Sequence, residues 1–400
     1  EDFKVSRAEI EAAKTLVSEE LKTAIQTAAS NIRTFHSRQK TAPERIETMQ
    51  GVTCWRKSVG IEKVGLYIPG GTAPLFSTIL MLGIPAMIAG CKEIVFCTPP
   101  NKEGKIHPAI LYTVDLLGIS KIFKVGGAQA IAAMAFGTAT IPKVHKIFGP
   151  GNQYVTAAKQ LVNQAGTAID MPAGPSEVAI VADKTAFPAF VAADLLSQAE
   201  HGEDSQVVFV TTSEEMQNKV QAEVEKQVKV LPRRTIAEAA LANSRSILLK
   251  NETEVIDLIN AYAPEHLILA VENDEDLSDK IINAGSIFLG HYTPESVGDY
   301  ASGTNHTLPT NGFAKAYSGV SLDSFVKKIT YQKLTKQGLQ NIGKTVEIMA
   351  AAESLDAHKL AVSVRLERIS HRGSQSFCTE PTEQLFEHQG ILCLPLRPLW

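Results

Sequence analysis

The sequence predicts an α/β protein built on parallel β-sheets, and three observations support this fold class. Short runs rich in Val and Ile alternate with helical patterns along most of the 400 residues. These runs lack a strict alternation of polar and apolar residues, which suits strands that helices cover on both faces. The composition, with 44% hydrophobic and 20% charged residues, is that of an ordinary globular protein.

The elements follow in order from an amphipathic, charged helical pattern over residues 1–50, where Ser6 and Glu9 match a capping box. Nine strands are then predicted, at 64–68, 93–97, 121–125, 144–148, 178–181, 206–210, 246–249, 267–271 and 286–289. Helical stretches lie between them, at 108–117, 128–136, 153–163, 188–199 and 214–230. After about Tyr317 we expect helices only, ending with 339–366. Nine strands are many for one open sheet, so we expect two α/β domains joined near the Pro- and Gly-rich segment 167–177.

Composition and charge exclude several classes of protein. Segment 64–91 has no charged residue, but its prolines and glycines favour a strand, a turn and a buried helix over a membrane span. A net charge of −4 gives no reason to expect nucleic acid or an anionic membrane as a partner. Five cysteines without a CxxC pair favour free thiols in a reducing compartment, so we expect a cytoplasmic protein. Cys91 and Cys97 flank a buried strand, which favours inert thiols over a catalytic nucleophile.

Two glycine patterns concern nucleotide binding. Segment GLQNIGKT, residues 338–345, matches the phosphate-binding pattern GxxxxGK[ST]. However, residues 331–337 before it do not look like a strand, and its apolar positions continue a helical face, so we reject this function. No GxGxxG follows a strand. Instead, glycine-rich turns at 126–129 and 149–152 each follow a strand and open a helix, which is typical of an anion site or of an ordinary tight turn.

Potential metal ligands lie at the ends of predicted elements. Gln198 and His201 are three residues apart on one helix and therefore share a face. Glu265 and His266 enter a strand, and Asp299 lies in a Gly-containing segment. Zinc binds such nitrogen and oxygen donors, but no HExxH or Cys/His spacing is present. Each of these histidines, taken singly, could therefore also be a packed core residue or a surface residue that binds no metal.

Nine longer segments are spread in order over the chain: GLYIPGG (65–71), APLFST (73–78), VGGAQA (125–130), IFGPGN (147–152), IDMPAGPSE (169–177), DLLSQAEHG (194–202), APEH (263–266), PESVGDYASGTNH (294–306) and LDAH (355–358). Together they resemble the histidinol dehydrogenase family, from about residue 4 to residue 365. The resemblance implies a zinc enzyme, with one ion per subunit, that oxidises L-histidinol twice with NAD, through L-histidinaldehyde, to L-histidine.

The resemblance also implies an architecture. It comprises two Rossmann-like parallel-sheet domains lacking GxGxxG, plus a helical C-terminal domain, in a domain-swapped homodimer. The implied domains are 1–66 with 176–320 for the metal and substrate site, 67–175 for the NAD contacts, 321–369 for the swapped helices, and 370–400 as an atypical tail. The family carries residues ahead of the position of Glu1, so we expect a short dimer arm, and 370–400 has no counterpart in it.

By the same resemblance, functional residues of the family fall on matching positions of this sequence. The implied zinc ligands are Gln198, His201, Asp299 and His358. The implied acid–base pair is Glu265 and His266. The implied NAD contacts are Tyr67, Gln129 and Asn152. The implied substrate contacts are Ser176, Gln198, His201, Glu265, His266, Asp299, His306, Glu353 and His358, of which Glu353 and His358 would serve the other subunit.

The chemistry suits these residue types. A histidine, whose pKa is ordinarily about 6.5, can take the hydroxyl proton in the first oxidation. A carboxylate whose pKa is raised by burial can activate water for the second. We therefore predict that His266 is the base of the first step and Glu265 the water activator of the second. The alternatives are a zinc-binding scaffold without turnover, disfavoured by the complete site, and a dehydrogenase of another amino alcohol, disfavoured by Glu353 and the zinc set.

Overall fold

The computed structural model describes residues 3–70, 74–171 and 174–371, apart from the side chains of Ser370 and His371. The chain divides into two compact units, Glu1–Ala42 with Lys57–Ile329 and Pro43–Arg56 with Thr330–Trp400. The predicted tail, 370–400, lies outside the described residues from position 372 onward.

The helices, in chain order, are α1 (Arg7–Leu16), α2 (Glu19–Ser37), α3 (Phe76–Ala89), α4 (Pro108–Leu116), α5 (Gly127–Phe136), α6 (Gln153–Gln164), α7 (Pro188–Ala199), α8 (Glu214–Gln227), α9 (Arg234–Ala242), α10 (Glu252–Tyr262), α11 (Asp274–Ser278), α12 (Glu295–Tyr300), α13 (Lys336–Ala352) and α14 (Asp356–His371). The strands are β1 (Arg45–Met49), β2 (Val52–Gly60), β3 (Lys63–Tyr67), β4 (Glu93–Cys97), β5 (Lys121–Phe123), β6 (Lys146–Phe148), β7 (Ala168–Ile169), β8 (Glu177–Ala182), β9 (Gln206–Thr211), β10 (Arg245–Leu248), β11 (His266–Ala270), β12 (Ser286–Leu289) and β13 (Val326–Leu334).

The first unit contains two five-stranded parallel sheets, which confirms the predicted α/β class. The strand orders are β5-β4-β3-β6-β7 and β10-β9-β8-β11-β12. In both sheets the first strand is central and the order reverses beside it, which is the doubly wound arrangement. All nine predicted strands are present within a few residues; the additional strand, β7, lies in the predicted interdomain segment.

Helices cover both faces of each sheet. In the first sheet α3 and α4 share one buried cluster, and α5 and α6 share the other. In the second sheet α7, α8 and α9 cover one face, and α10 and α11 the other. The interior strand residues are fully buried; Leu66, Phe96 and Ile180, for example, have no exposed area. This burial on two faces explains why the strands are continuous apolar runs.

Helices α1 and α2 form an outer layer on the first sheet. The predicted capping box is confirmed, because the Ser6 hydroxyl and the Glu9 carboxylate each bond the other residue's backbone N–H. Arg7 contacts Asp115 of α4 at 2.6 Å, and the buried residues of α1 and α2 belong to the first-sheet core. The implied grouping of 1–66 with 176–320 differs from this packing, and a boundary after residue 66 would cut β3.

The second unit departs from the predicted pattern. Strands β1, β2 and β13 form a three-stranded sheet, so the expectations of helix over all of 1–50 and of helices only after Tyr317 are wrong. Residues of β1 and β13 are mostly exposed, and polar or charged residues interrupt both strands, so neither has an apolar run to reveal it. The predicted helical stretch 339–366 is two helices, α13 and α14, separated by a turn in which Ser354 has φ 60°.

Segment GLQNIGKT lies wholly inside α13. Contrary to expectation, a strand, β13, does precede it, but the segment's backbone is helical instead of forming a loop that could surround a phosphate. Gly343 packs against Val362 and Leu366 of α14. The match to the nucleotide pattern is therefore a helix-packing feature.

The described residues also bear on membrane-spanning helices and on the cysteines. Among its described helices, none is long and apolar enough to cross a membrane. The described cysteines, Cys54, Cys91 and Cys97, are free thiols. Burial raises the pKa of Cys91 to about 11 and that of Cys97 to about 12, which makes both poor nucleophiles.

Candidate active site

The predicted acid–base pair lies at the amino edge of the second sheet. Helix α10 ends in Ala263, whose backbone is left-handed (φ 55°), and Pro264 then prevents further helix. Glu265 and His266 follow immediately and lead into β11. His266 is in register with the second residue of β8, so the half-buried Ser176, just before β8, lies at the same edge.

Carboxylates surround the His266 ring. Its Nδ1 lies 3.6 Å from Glu265 Oε2 and 3.7 Å from Glu295 Oε1, and its Nε2 lies 3.5 Å from Asp299 Oδ1. Nδ1 is also 3.2 Å from the backbone oxygen of Glu177, to which it can donate. The side chains of Glu265, Glu295 and His266 are each at least nine-tenths buried.

Burial and charge shift the pKa values within this cluster. Burial raises the pKa of Glu265 to about 7 and that of Glu295 to about 8. Burial alone would lower the pKa of His266, but the charges of Glu265, Glu295 and Asp299 outweigh it and raise that pKa to about 10. The cluster therefore stabilises a protonated imidazole, which is the state a base reaches after accepting a proton.

Several buried side-chain nitrogen and oxygen atoms have no hydrogen-bond partner among the described residues. They include both amide atoms of the fully buried Gln198, together with Asp299 Oδ1 and His266 Nε2. Gln198 lies near the end of α7, which packs against α12, and the exposed His201 lies two residues beyond that helix. In the described chain, ligand atoms of His266, Glu295 and Asp299 also lie within 4.8 Å of one another. Unsatisfied buried donors and clustered carboxylates fit a bound cation.

The remaining predicted ligand and substrate residues divide between the units. Glu353 directly follows α13 and His358 lies in the first turn of α14, both exposed side chains of the second unit. Their service to the other subunit stays a prediction.

His306 connects the two halves of the first unit. Its Nδ1 lies 2.8 Å from the backbone oxygen of Asp299, and its Nε2 lies 3.0 Å from Thr78 Oγ1 at the start of α3. Beside it, the Asn305 amide donates to the backbone oxygen of Met81 at 2.6 Å. His306 therefore fixes the Asp299 segment against the first sheet.

The predicted NAD contacts lie together at the carboxyl edge of the first sheet, after β3, β5 and β6. Tyr67 ends β3, and its hydroxyl accepts the backbone N–H of Gly127 at 3.0 Å. Gln129 is exposed in the first turns of α5. Asn152 caps α6 through its side-chain oxygen. His306 contacts both α3, the helix that follows β3, and Asp299, which lies beside His266. The carboxyl edge of the first sheet therefore adjoins the amino edge of the second sheet, where His266 lies.

Two residues of the cluster were not predicted from the sequence. Glu295 lies four residues before Asp299 in α12, so helical spacing places both carboxylates on one face, and that spacing could have identified it. Glu177 donates its backbone N–H to Glu265 Oε2 at 2.9 Å, and its own carboxylate accepts the backbone N–H of Asn311. It begins a buried strand, and no sequence pattern distinguishes it.

Comparisons with known proteins agree with this geometry. The family model described as histidinol dehydrogenase matches residues 1–366. A histidinol dehydrogenase of Bacteroides fragilis (strain YCH46) is 66% identical over 365 residues, covering 91% of this chain and 85% of the relative. A crystal structure of histidinol dehydrogenase from Elizabethkingia anophelis is 63% identical, with a TM-score of 0.91, over 92% of this chain and 85% of that one. The chain belongs to the histidinol dehydrogenase family.

Proposed function

We propose that this chain oxidises L-histidinol in two NAD-dependent steps, through L-histidinaldehyde, to L-histidine, the last two steps of histidine synthesis. The observation that carries the proposal is the buried pair of Glu265 and His266 beside Asp299, in a member of this family. One buried site that serves both steps would keep the reactive aldehyde bound between them.

A zinc ion would be held by Gln198, His201 and Asp299, with His358 supplied by a second copy of the chain. The unpartnered Gln198 amide oxygen and Asp299 Oδ1 fit its binding to oxygen ligands. When bound, the ion would orient the substrate and polarise its reacting oxygen. His266 belongs to the observed triad with Asp299, but we assign it to proton transfer, the role that the family resemblance implies.

His266 would act as the base of the first oxidation from its neutral form, which a cation held at Asp299 would favour by offsetting the charge of the surrounding carboxylates. If Nδ1–H donates to the backbone oxygen of Glu177, Nε2 is left as the nitrogen that takes the hydroxyl proton. The resulting positive charge is stabilised by Glu265, Glu295 and Asp299. The same residue can return a proton between the steps.

Glu265 activates water in the second oxidation. Its burial raises its pKa to about 7, so its carboxylate is a stronger base than an exposed glutamate. The backbone N–H of Glu177 bonds Oε2 and so holds the carboxylate in place. The adjacent base and water activator suit an alcohol oxidation followed by an aldehyde oxidation.

NAD would bind along Tyr67, Gln129 and Asn152 and accept a hydride in each step. These residues lie at or just beyond the carboxyl ends of β3, β5 and β6, the usual cofactor edge of a doubly wound sheet. A Cβ at Gly126, Gly149 or Gly151 would overlap neighbouring protein atoms, so these glycines allow the close packing of the loops at this edge.

The working form would be a homodimer in the cytoplasm, in which the second unit completes the site of the other copy. Support comes from large apolar side chains that are exposed on that unit, including Ile348 at 59%, Met349 at 60% and Leu360 at 60%. Exposed apolar area of this kind marks interaction surfaces. Free cysteines suit a reducing compartment.

The test measures NADH formation from L-histidinol, with protein stripped of metal and then supplied with Zn²⁺. We expect zinc-dependent formation of two NADH per L-histidinol, with L-histidine as product. One NADH per substrate, or equal activity with other amino alcohols, would contradict the two-step histidinol reaction. No NADH from zinc-loaded dimer would favour the alternative, a zinc-binding scaffold without turnover.

A further inference from the structure

A buried ion pair lies beneath the loop between β6 and α6. Lys159 of α6 and Asp170, just after β7, form a salt bridge with side chains only 5% and 1% exposed. Removing two charges from water costs several kcal/mol per ion, and a well-packed apolar pair is often as stable. Fold stability alone therefore does not explain why this position carries charges.

The pair holds both backbone groups of Gly149, the first residue of the loop. Asp170 Oδ2 accepts the Gly149 N–H at 2.8 Å, and Lys159 Nζ donates to the Gly149 carbonyl at 2.9 Å. Gly149 has φ +127°, a conformation that side chains disfavour, and an added Cβ would overlap the carbonyl oxygen of Tyr67. The loop is thus fixed in one conformation, directly against Tyr67.

This conformation links the residues that we assign to NAD. The fixed loop leads to Asn152, which caps α6 two turns before Lys159 on the same helix. Tyr67, against which Gly149 packs, bonds Gly127 at the start of the helix that carries Gln129. A shift of Gly149 would therefore disturb the loop after β6 and, through Tyr67, the start of α5.

We infer that Lys159 and Asp170 are positioning residues for NAD: they set the loop after β6 without touching the cofactor. The inference rests on the proposed NAD edge. A role confined to stability would predict that an apolar pair of similar size leaves NAD binding unchanged. A positioning role predicts weaker NAD binding in a protein that still folds.

The test compares wild type with the double variant Lys159→Met/Asp170→Leu, each zinc-loaded and full length. NADH binding is followed by NADH fluorescence, and KM values are measured for NAD and for L-histidinol. We expect NADH to bind about tenfold more weakly and KM for NAD to rise similarly. KM for L-histidinol should stay close to wild type, whereas Tm should fall modestly because the buried N–H and carbonyl of Gly149 lose their hydrogen-bond partners. If the double variant folds poorly, the isosteric variant Asp170→Asn takes its place. It should also weaken NADH binding and raise KM for NAD.

The matched control is Lys121→Met/Glu93→Leu, which removes an ion pair of 2.8 Å at the amino edge of the same sheet, away from the NAD loops. It should leave NADH binding unchanged. Unchanged NADH binding in the Lys159 and Asp170 variants would overturn the inference, as would equal rises of both KM values. Wild type that binds no NADH would instead contradict the proposed NAD edge, and the inference with it.

Discussion

At the scale of single residues, the proposed function assigns the two reactions to different atoms of one buried cluster. Glu265→Gln keeps the shape and an oxygen for the Glu177 N–H but removes the basic carboxylate. Because only the second oxidation needs activated water, we expect aldehyde oxidation to fall about 100-fold or more and alcohol oxidation far less. Single-turnover NADH formation from L-histidinol and from L-histidinaldehyde separates the two.

Exposed Glu272→Gln, just beyond the opposite end of β11, is the control and should change neither rate. Equal losses in both half-reactions of Glu265→Gln would show that the assigned division of roles is wrong.

Asp194 shows how burial of a carboxyl group limits stability. It lies on α7, four residues before Gln198, and burial raises its pKa to about 7 from the ordinary 3.8. The folded state therefore holds this proton more tightly than the unfolded state. Relative to a variant with an uncharged side chain at this position, the free energy of unfolding falls as pH rises from about 4 to about 7, and then stays constant.

Asp194→Asn should accordingly raise the free energy of unfolding by about 2 kcal/mol at pH 8 and by little at pH 4. Denaturant unfolding at fixed protein concentration measures both values. Asp257→Asn, exposed on α10, is the control. A gain of the same size at both pH values would mean that burial of the charge is not the cause.

At the scale of elements, two glycines of α13 differ in what surrounds them. A Cβ at Gly338 would overlap backbone atoms of Gly51, whereas a Cβ at Gly343 would come within 2.8 Å of the flexible Leu366 side chain. Alanine in a helix is otherwise favoured over glycine by about 1 kcal/mol. Only Gly338→Ala should therefore destabilise the second unit, by about 2 kcal/mol.

Hydrogen exchange of the α13 amides and Tm check this difference, with Gly343→Ala as the matched variant. If both substitutions loosen α13 equally, backbone contact at Gly51 is not the deciding interaction.

The sequence allowed the buried elements to be predicted better than the exposed ones. Strands such as β4 and β12 are apolar because helices cover both faces, and their predicted bounds agree with the structure. Strand β13 reads VKKITYQKL, with mostly exposed side chains, and its pairing is with strands near residue 50, so no local pattern predicts it. Long-range pairing of polar strands is a tertiary property.

The candidate site was predicted unevenly for a similar reason. Motifs identified Glu265, His266 and Asp299, which the structure brings together. Glu177 joins them only because β8 lies beside β11, a neighbourhood that the fold creates.

At the scale of the whole molecule, the proposed swapped dimer makes each site a product of two chains. A homodimer of the His266→Asn variant and a homodimer of the His358→Asn variant should each be inactive. In a mixed dimer one site carries both defects and the other carries none. Random mixing after dissociation should therefore restore about a quarter of wild-type NADH formation.

Mixing without subunit exchange is the control and should restore nothing. Absence of recovery after verified exchange would mean that His266 and His358 serve the same chain's site, and the swap would be wrong.

The opposite edges of the two sheets also differ in electrostatic sign. At the amino edge of the second sheet, α7 and α10 end just before His201 and Glu265, so the partial negative charge of two helix C-termini points toward the site. At the carboxyl edge of the first sheet, α5 and α6 begin, and their N-termini carry partial positive charge. Backbone dipoles alone would thus draw a metal ion or a substrate ammonium to one edge and a pyrophosphate to the other, before any side chain is counted.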